Sequence, residues 1–157
     1  MIVLVLGGAR SGKSEVAEDL AAADAPVTYV ATATASDDDF AARIAKHRAR
    51  RPAEWITVES DDVVGALQEV SGTVLIDSLG TWIASADRFE RDVDKLVAAL
   101  HRDGTTIVVS EEVGLGVHPP TEVGRRFADA LGACNRAVAA VADRVLLVVA
   151  GRVLELP

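Results

Sequence analysis

The sequence predicts a doubly wound α/β domain, and three observations carry that prediction. Short apolar runs without polar alternation recur along the chain: IVLVL from Ile2, VTYVAT from Val27, TVLID from Thr73, TIVVS from Thr106 and VLLVVA from Val145. Each has the length of a strand and the composition of one covered on both faces. Helical patterns separate them, which predicts a mostly parallel sheet with helices on both faces. Half of the 157 residues are hydrophobic and only 4% aromatic, so the core between sheet and helices must be Val, Leu, Ile and Ala. A chain of this length buries one core without staples, which predicts a single domain spanning 1–157.

Taken in order, IVLVL is followed by a helix from about Lys13, then VTYVAT and a helix from about Asp37. The strand WITVE comes next, then a helix from about Asp61, TVLID, further helices to His101, and TIVVS. One long helix from about Thr121 leads to VLLVVA and VLEL. Punctuation supports these divisions. Ser36 with Asp39 reads as a capping pair, Pro52 closes the basic stretch RARRP, Gly104 follows a helix carrying Val93, Leu96, Val97 and Leu100, and HPP precedes the long helix.

Charge and cysteine usage exclude several functions. A net charge of −8 opposes a nucleic-acid partner, which needs a basic face to neutralise phosphates. One cysteine, Cys134, allows no internal disulfide, and with three scattered histidines it makes no zinc spacing. IVLVL lacks preceding basic residues and runs into a glycine turn instead of a cleavage site. The later apolar runs fall far short of the roughly 18 residues of a membrane span. The expectation is a cytoplasmic protein with no membrane span.

The most informative stretch is GGARSGKS: Gly7, Gly8, Ala9, Arg10, Ser11, Gly12, Lys13 and Ser14. It satisfies G-x-x-x-x-G-K-[ST] after an apolar strand and before a helix, the context its mechanism requires. Backbone N–H groups and the helix N-terminus wrap the phosphates, the lysine reaches the β- and γ-phosphates, and the serine hydroxyl ligates Mg²⁺. Such a site also needs a carboxylate at the end of a neighbouring buried strand, and TVLID supplies Asp77. The expected class is therefore a P-loop NTPase-type fold, RecA-like. Asp77 to Gly80 also reads D-x-x-G, but Asn135 is the chain's one asparagine, so no N-K-x-D base-reading motif exists and the match is chance.

The stretch DDDFAARIAKHRARRP is the second informative place. On a helix Phe40, Ile44 and His47 share one stripe, and Arg43, His47 and Arg50 an adjoining one. Two readings stand. One is a solvated helix end whose positive charges complement the dipole. The other is a histidine nucleophile whose neutral imidazole attacks a phosphorus held by the neighbouring arginines. His101 reads as exposed, His118 as a loop residue packed or touching a ligand, Cys134 as core, and Glu59 as a strand-end carboxylate able to accept guanine protons.

Several ordered blocks together resemble a known family. They are GGARSGKS, YVATAT at 29–34, ARIAKHRARRPAEW at 42–55, TVE ending at Glu59, LIDSLGTW at 75–82, SEEVGLGVHP at 110–119 and the long segment from Arg125. The family is the bifunctional adenosylcobinamide kinase/adenosylcobinamide-phosphate guanylyltransferases of cobalamin biosynthesis. The resemblance implies that His47 is guanylylated by GTP. It also implies that the phosphate loop, Thr32, Ala33, Thr34, Arg48, Ala49, Arg50, Arg51, Glu59 and Asp77 line the nucleotide site. Lys13 and His47 would be catalytic, and Ser14 and Asp77 would hold Mg²⁺.

The implied substrates are GTP and ATP, adenosylcobinamide and adenosylcobinamide phosphate, and the implied assembly is a homo-oligomer such as a trimer with the corrinoid between subunits. Arg125 and Asn135 match motif positions without an assigned step. Two departures are visible: Glu111 stands where many relatives have asparagine, and the segment between Trp82 and Asp92 is shorter than in some. The competing readings are a monofunctional small-molecule kinase, or a regulatory ATPase without a chemical acceptor.

Overall fold

A computed structural model describes residues 1–32 and 51–157. The strands are β1 (Ile2–Gly7), β2 (Val27–Ala31), β3 (Ile56–Glu59), β4 (Thr73–Asp77), β5 (Thr106–Glu111), β6 (Arg144–Val149) and β7 (Arg152–Leu156). The helices are α1 (Lys13–Ala22), α2 (Val63–Glu69), α3 (Leu79–Ala84), α4 (Val93–Leu100) and α5 (Glu122–Ala139), with a short 3₁₀ turn at Asp87–Phe89. The expected helix from Asp37 and the Ser36–Asp39 capping pair lie outside the described residues.

The seven strands among the described residues form one sheet in the order β3-β2-β4-β5-β1-β6-β7, parallel except for β7, which pairs antiparallel with β6. The apolar runs behave as two-faced strands. Ile2, Leu4, Leu6, Val74, Ile76 and Val108 face one core with α2, α3, α4 and α5, whereas Val3, Val5, Leu75, Ile107, Val109, Leu146 and Val148 face a second with α1 and Trp55. Each fully buried aliphatic side chain contributes on the order of 1.5–3 kcal/mol. β3 starts at Ile56, one residue later than WITVE suggests. Trp55 is buried in the turn before it while Ile56, on the edge strand, is exposed.

Strand order corrects one expectation. TVLID does not neighbour the phosphate-loop strand, because β5 lies between β4 and β1. Period-two patterning orders the residues of a buried strand but not the strands themselves. TIVVSE and TVLID are equally apolar on both faces, so nothing local told them apart.

The helix starts follow their side chains. Asp62 accepts from the Gly65 N–H at 2.9 Å, Asp92 from Lys95 at 3.0 Å and Thr121 from Gly124 at 3.1 Å. Ser78 and Thr81 form a reciprocal capping box at α3. α1 differs: its N-cap is Gly12 at φ +94°, and no side chain caps it. The hairpin turn between β6 and β7 carries positive φ at Ala150 and Gly151, the combination whose twist matches paired strands.

Candidate functional site

Parallel strands all end on one side, and their C-terminal edge is where such sheets hold ligands. Register puts Glu59 and Asp77 on either side of Ala31, and Gly7 opposite Glu111. The edge therefore presents, in order, Glu59 on β3, Asp77 on β4, Glu111 on β5 and the phosphate loop leaving β1.

The loop between Gly7 and α1 is shaped by close packing. A Cβ on Gly7 would lie 2.3 Å from Ser11 Oγ and 2.8 Å from the Val148 carbonyl, so the strand can end there only as glycine. The Gly151 N–H donates to the Ser11 carbonyl at 2.8 Å, which braces the loop against the β6–β7 turn. Lys13 folds back over the loop. Its Nζ donates to the Gly8 carbonyl at 3.4 Å and lies 3.6 Å from Glu111 Oε1. Ser11 Oγ is buried without a hydrogen-bond partner among the described residues.

Glu111, which the sequence marked only as a departure from its relatives, lies at this edge. Ser78 Oγ donates to its two carboxylate oxygens at 3.0 and 3.1 Å. Gly80 makes room for it, since a Cβ there would meet Glu111 Oε2 at 1.8 Å. Behind it, Asn135 on α5 donates to the Glu111 backbone carbonyl at 3.0 Å and accepts from Ser110 Oγ at 2.6 Å. The spacing D-x-x-G at 77–80 thus has a packing reason unrelated to base reading. Local motifs carried no signal for Glu111, because its partners Lys13, Ser78, Gly80 and Asn135 are remote in sequence or on other elements.

Asp77 has a different setting. Tyr29 Oη donates to Asp77 Oδ2 at 2.6 Å. Burial first, and then the adjacent Asp77 charge, push the Tyr29 hydroxyl well above its ordinary range, so it stays a neutral donor. The Arg51 guanidinium stacks on the Tyr29 ring with its carbon 3.3 Å from the centroid, and its Nη1 donates to Thr57 Oγ1 at 3.4 Å. Thr32, just past β2, donates through Oγ1 to the Ser78 carbonyl at 2.7 Å and accepts from the Ser78 N–H at 2.9 Å. Arg51, Tyr29, Asp77, Thr32 and Ser78 therefore form one connected group.

Gly7 to Ser14, Thr32, Glu59 and Asp77 lie along this edge, and Arg51 is linked to them through the Tyr29 ring. Ala33, Thr34, His47, Arg48, Ala49 and Arg50 lie outside the described residues. His101 and His118 are exposed and Cys134 is fully buried. His118 lines a cavity of about 440 Å³ between the segment 112–119 and α5, whose lining includes none of the phosphate-loop residues. Arg125 holds the end of that segment by donating to the Pro119 and Pro120 carbonyls at 3.3 and 3.0 Å. Among the described residues no helix is long and apolar enough to cross a membrane.

A glycine-rich loop joining a buried parallel strand to a helix, with carboxylates on the adjoining strand ends, defines a P-loop nucleotide-binding protein of the RecA-like class. The fold is shared with an ATPase from the type III secretion system of pathogenic bacteria, at a TM-score of 0.59 and 12% identity, over 93% of this chain and 50% of that one. Sequence comparison goes further. The chain is 41% identical to the bifunctional adenosylcobalamin biosynthesis protein CobP of Pseudomonas aeruginosa over 94% of its length and 92% of the relative's. It is 35% identical to the bifunctional adenosylcobalamin biosynthesis protein CobU of Escherichia coli over 96% of its length and 97% of the relative's. Residues 3–156 match the family model for cobinamide kinase / cobinamide phosphate guanyltransferase, and the chain belongs to that family.

Proposed function

We propose that this chain is a single catalytic unit that carries out two successive transfers on one corrinoid. A nucleoside triphosphate, ATP or GTP, first phosphorylates the aminopropanol hydroxyl of adenosylcobinamide. His47 then attacks the α-phosphorus of GTP, pyrophosphate leaves, and adenosylcobinamide phosphate displaces GMP from the histidine to give adenosylcobinamide-GDP. The observation that carries this reading is the phosphate loop with Lys13 turned over it, in a chain of this family.

The residues divide the work by position. Backbone N–H groups from Gly8 to Ser14 and the uncapped start of α1 cradle phosphate oxygens. Lys13, with Arg48, Arg50 and Arg51, neutralises charge that develops on the transferring and leaving oxygens. Thr32, Ala33 and Thr34 complete the rim, with Ala49 beside the arginines, and Glu59 accepts the N1 and N2 protons of a guanine base. A neutral imidazole is the nucleophilic form of His47.

Mg²⁺ fits this donor set. Ser14 and Asp77 offer hard oxygen ligands, and no group of three or more His, Cys, Asp or Glu among the described residues makes a cage of its own. That suits an ion that takes few protein ligands and completes its shell with phosphate oxygens and water. When bound it supplies charge neutralisation at the phosphates. The reading places the enzyme in the cytoplasm as a homo-oligomer, with a trimer as the assembly to test.

The test is incubation of the purified protein with Mg²⁺ and GTP labelled at the α-phosphate, followed by denaturation. An acid-labile, base-stable label on wild type that is lost in His47→Ala is the expected result. A folded, GTP-binding wild type that takes up no label overturns the histidine mechanism and leaves a monofunctional kinase. Release of free phosphate without corrinoid, together with failure to phosphorylate cobinamide, points instead to a regulatory ATPase.

A further inference from the structure

Resting on the reading of Asp77 as a magnesium ligand, we infer that Tyr29 is the residue that positions it. The Tyr29 hydroxyl holds one oxygen of the carboxylate, so that the group meets the cation in a single orientation. Tyr29 Oη donates to Asp77 Oδ2 at 2.6 Å. Register brings the two together: β2 and β4 are neighbours, with Tyr29 opposite Leu75 and Ala31 opposite Asp77. Tyr29 and Leu75 belong to the core under α1, and alternation returns Asp77, two residues past Leu75, to that same face. The phosphate loop runs into α1 on this side of the sheet.

Packing alone does not call for a tyrosine here. Tyr29 is the chain's one tyrosine and is 2% exposed, in a buried cluster otherwise made of Val, Leu, Ile, Ala and Trp. A phenylalanine would fill the same space without a hydroxyl, which costs free energy to bury unless it is hydrogen-bonded. The bond it makes reaches a carboxylate at the end of the neighbouring strand, not a carbonyl of its own.

The surroundings leave one torsion for Tyr29 to set. The Thr32 N–H donates to the Asp77 carbonyl at 3.2 Å, which fixes the backbone and leaves the side chain to be oriented. Arg51 covers the Tyr29 ring, its guanidinium carbon 3.3 Å from the centroid, and is itself tied to Thr57 on β3. A ring packed between that guanidinium and the core carries its hydroxyl to one place. A lysine or arginine bonded to Asp77 would hold the carboxylate but compete with a divalent cation for it. A phenol orients it without a competing charge, the part that hydrogen-bonding partners play behind metal ligands.

The test separates orientation of a ligand from support of the fold. Tyr29→Phe removes one oxygen atom and keeps the ring under Arg51. ATP binding is measured by calorimetry in excess EDTA and at a fixed Mg²⁺ concentration, and the ratio of the two dissociation constants is the metal-dependent gain. In Tyr29→Phe that gain is expected to fall roughly 10-fold while the value in EDTA stays as in wild type. Asp77→Asn should remove most of the gain, and adding Tyr29→Phe to it should change nothing more. With cobinamide and ATP, Tyr29→Phe should need more Mg²⁺ for its half-maximal rate and regain the wild-type kcat when Mg²⁺ is raised.

An unchanged gain in folded Tyr29→Phe overturns the proposal. So does an equal loss in EDTA and in Mg²⁺, which marks a packing role, or a full further loss on top of Asp77→Asn, which places the effect elsewhere. No gain in wild type, or a gain retained in Asp77→Asn, overturns the metal role of Asp77 and the proposal with it. A wild type that binds ATP but does not phosphorylate cobinamide overturns the kinase reading alone, because the calorimetry needs no acceptor. A second measurement leaves the side chain in place. Biosynthetic fluorotyrosine gives a single ¹⁹F resonance, since the chain has one tyrosine. It should shift when Mg²⁺ is added to the ATP-bound protein, and not in Asp77→Asn; a resonance indifferent to Mg²⁺ overturns the proposal even where Tyr29→Phe does not fold.

Discussion

Replacing Asn135 by alanine should unfold the protein more readily than its place on a helix suggests. The side chain is 7% exposed and makes two hydrogen bonds, accepting from Ser110 Oγ at 2.6 Å and donating to the Glu111 carbonyl at 3.0 Å. Truncation strands the hydroxyl of Ser110, which is fully buried, and a carbonyl at the end of β5. Stranding a buried polar group costs about 1–3 kcal/mol, so the pair predicts a loss of roughly 2–4 kcal/mol. For a domain of this size that lowers Tm by about 2–4 °C per kcal/mol.

Urea unfolding followed by circular dichroism measures the loss directly, and a double-mutant cycle with Ser110→Ala tests its cause. Removing the Ser110 hydroxyl as well relieves one stranded group, so the double variant should cost less than the sum of the singles by about 1 kcal/mol. Strict additivity, or a single-variant loss below about 0.5 kcal/mol, would refute the reasoning. In either case Asn135 would not be what holds Glu111 from behind.

Two further expectations concern titration. Tyr29 is the chain's one tyrosine, so tyrosinate absorbance reads it alone. Its folded-state pKa is raised, so the stability it contributes is complete below the unfolded value near 10 and is lost as pH rises beyond it. Absorbance at 295 nm should therefore appear only together with loss of helical circular dichroism; a reversible titration near pH 10 in a folded protein refutes this. Burial pushes the Cys134 thiol up to about 11. It should resist a thiol reagent at pH 8 until urea is added, and its contribution to stability should fade as pH rises through about 11; rapid labelling of the native protein contradicts that.

How much of this was legible in the sequence differs by level. The inner strands were readable because each is a closed apolar run, and the phosphate loop because its motif lies in eight contiguous residues. Cap residues such as Thr121 announced α5 for the same local reason. Strand order was not readable, since β4 and β5 present the same two-faced pattern and only their helices decide which lies beside β1. Glu111 was invisible as a site residue on similar grounds. Its meaning depends on Lys13, Ser78, Gly80 and Asn135, which the sheet and α5 bring to it from four separate places. Gly80 shows the hazard of the reverse inference, since a spacing that mimics a switch motif is there to admit a carboxylate.

The two carboxylates at the edge illustrate how environment assigns roles to like groups. Asp77 is met by a phenol that burial and the adjacent carboxylate keep from ionising, so it accepts its hydrogen bond from a donor that stays neutral. Glu111 is met by a lysine whose better partner is a phosphate, so its surroundings change when the loop fills. A carboxylate held in place by a neutral donor suits a cation that must stay with the nucleotide.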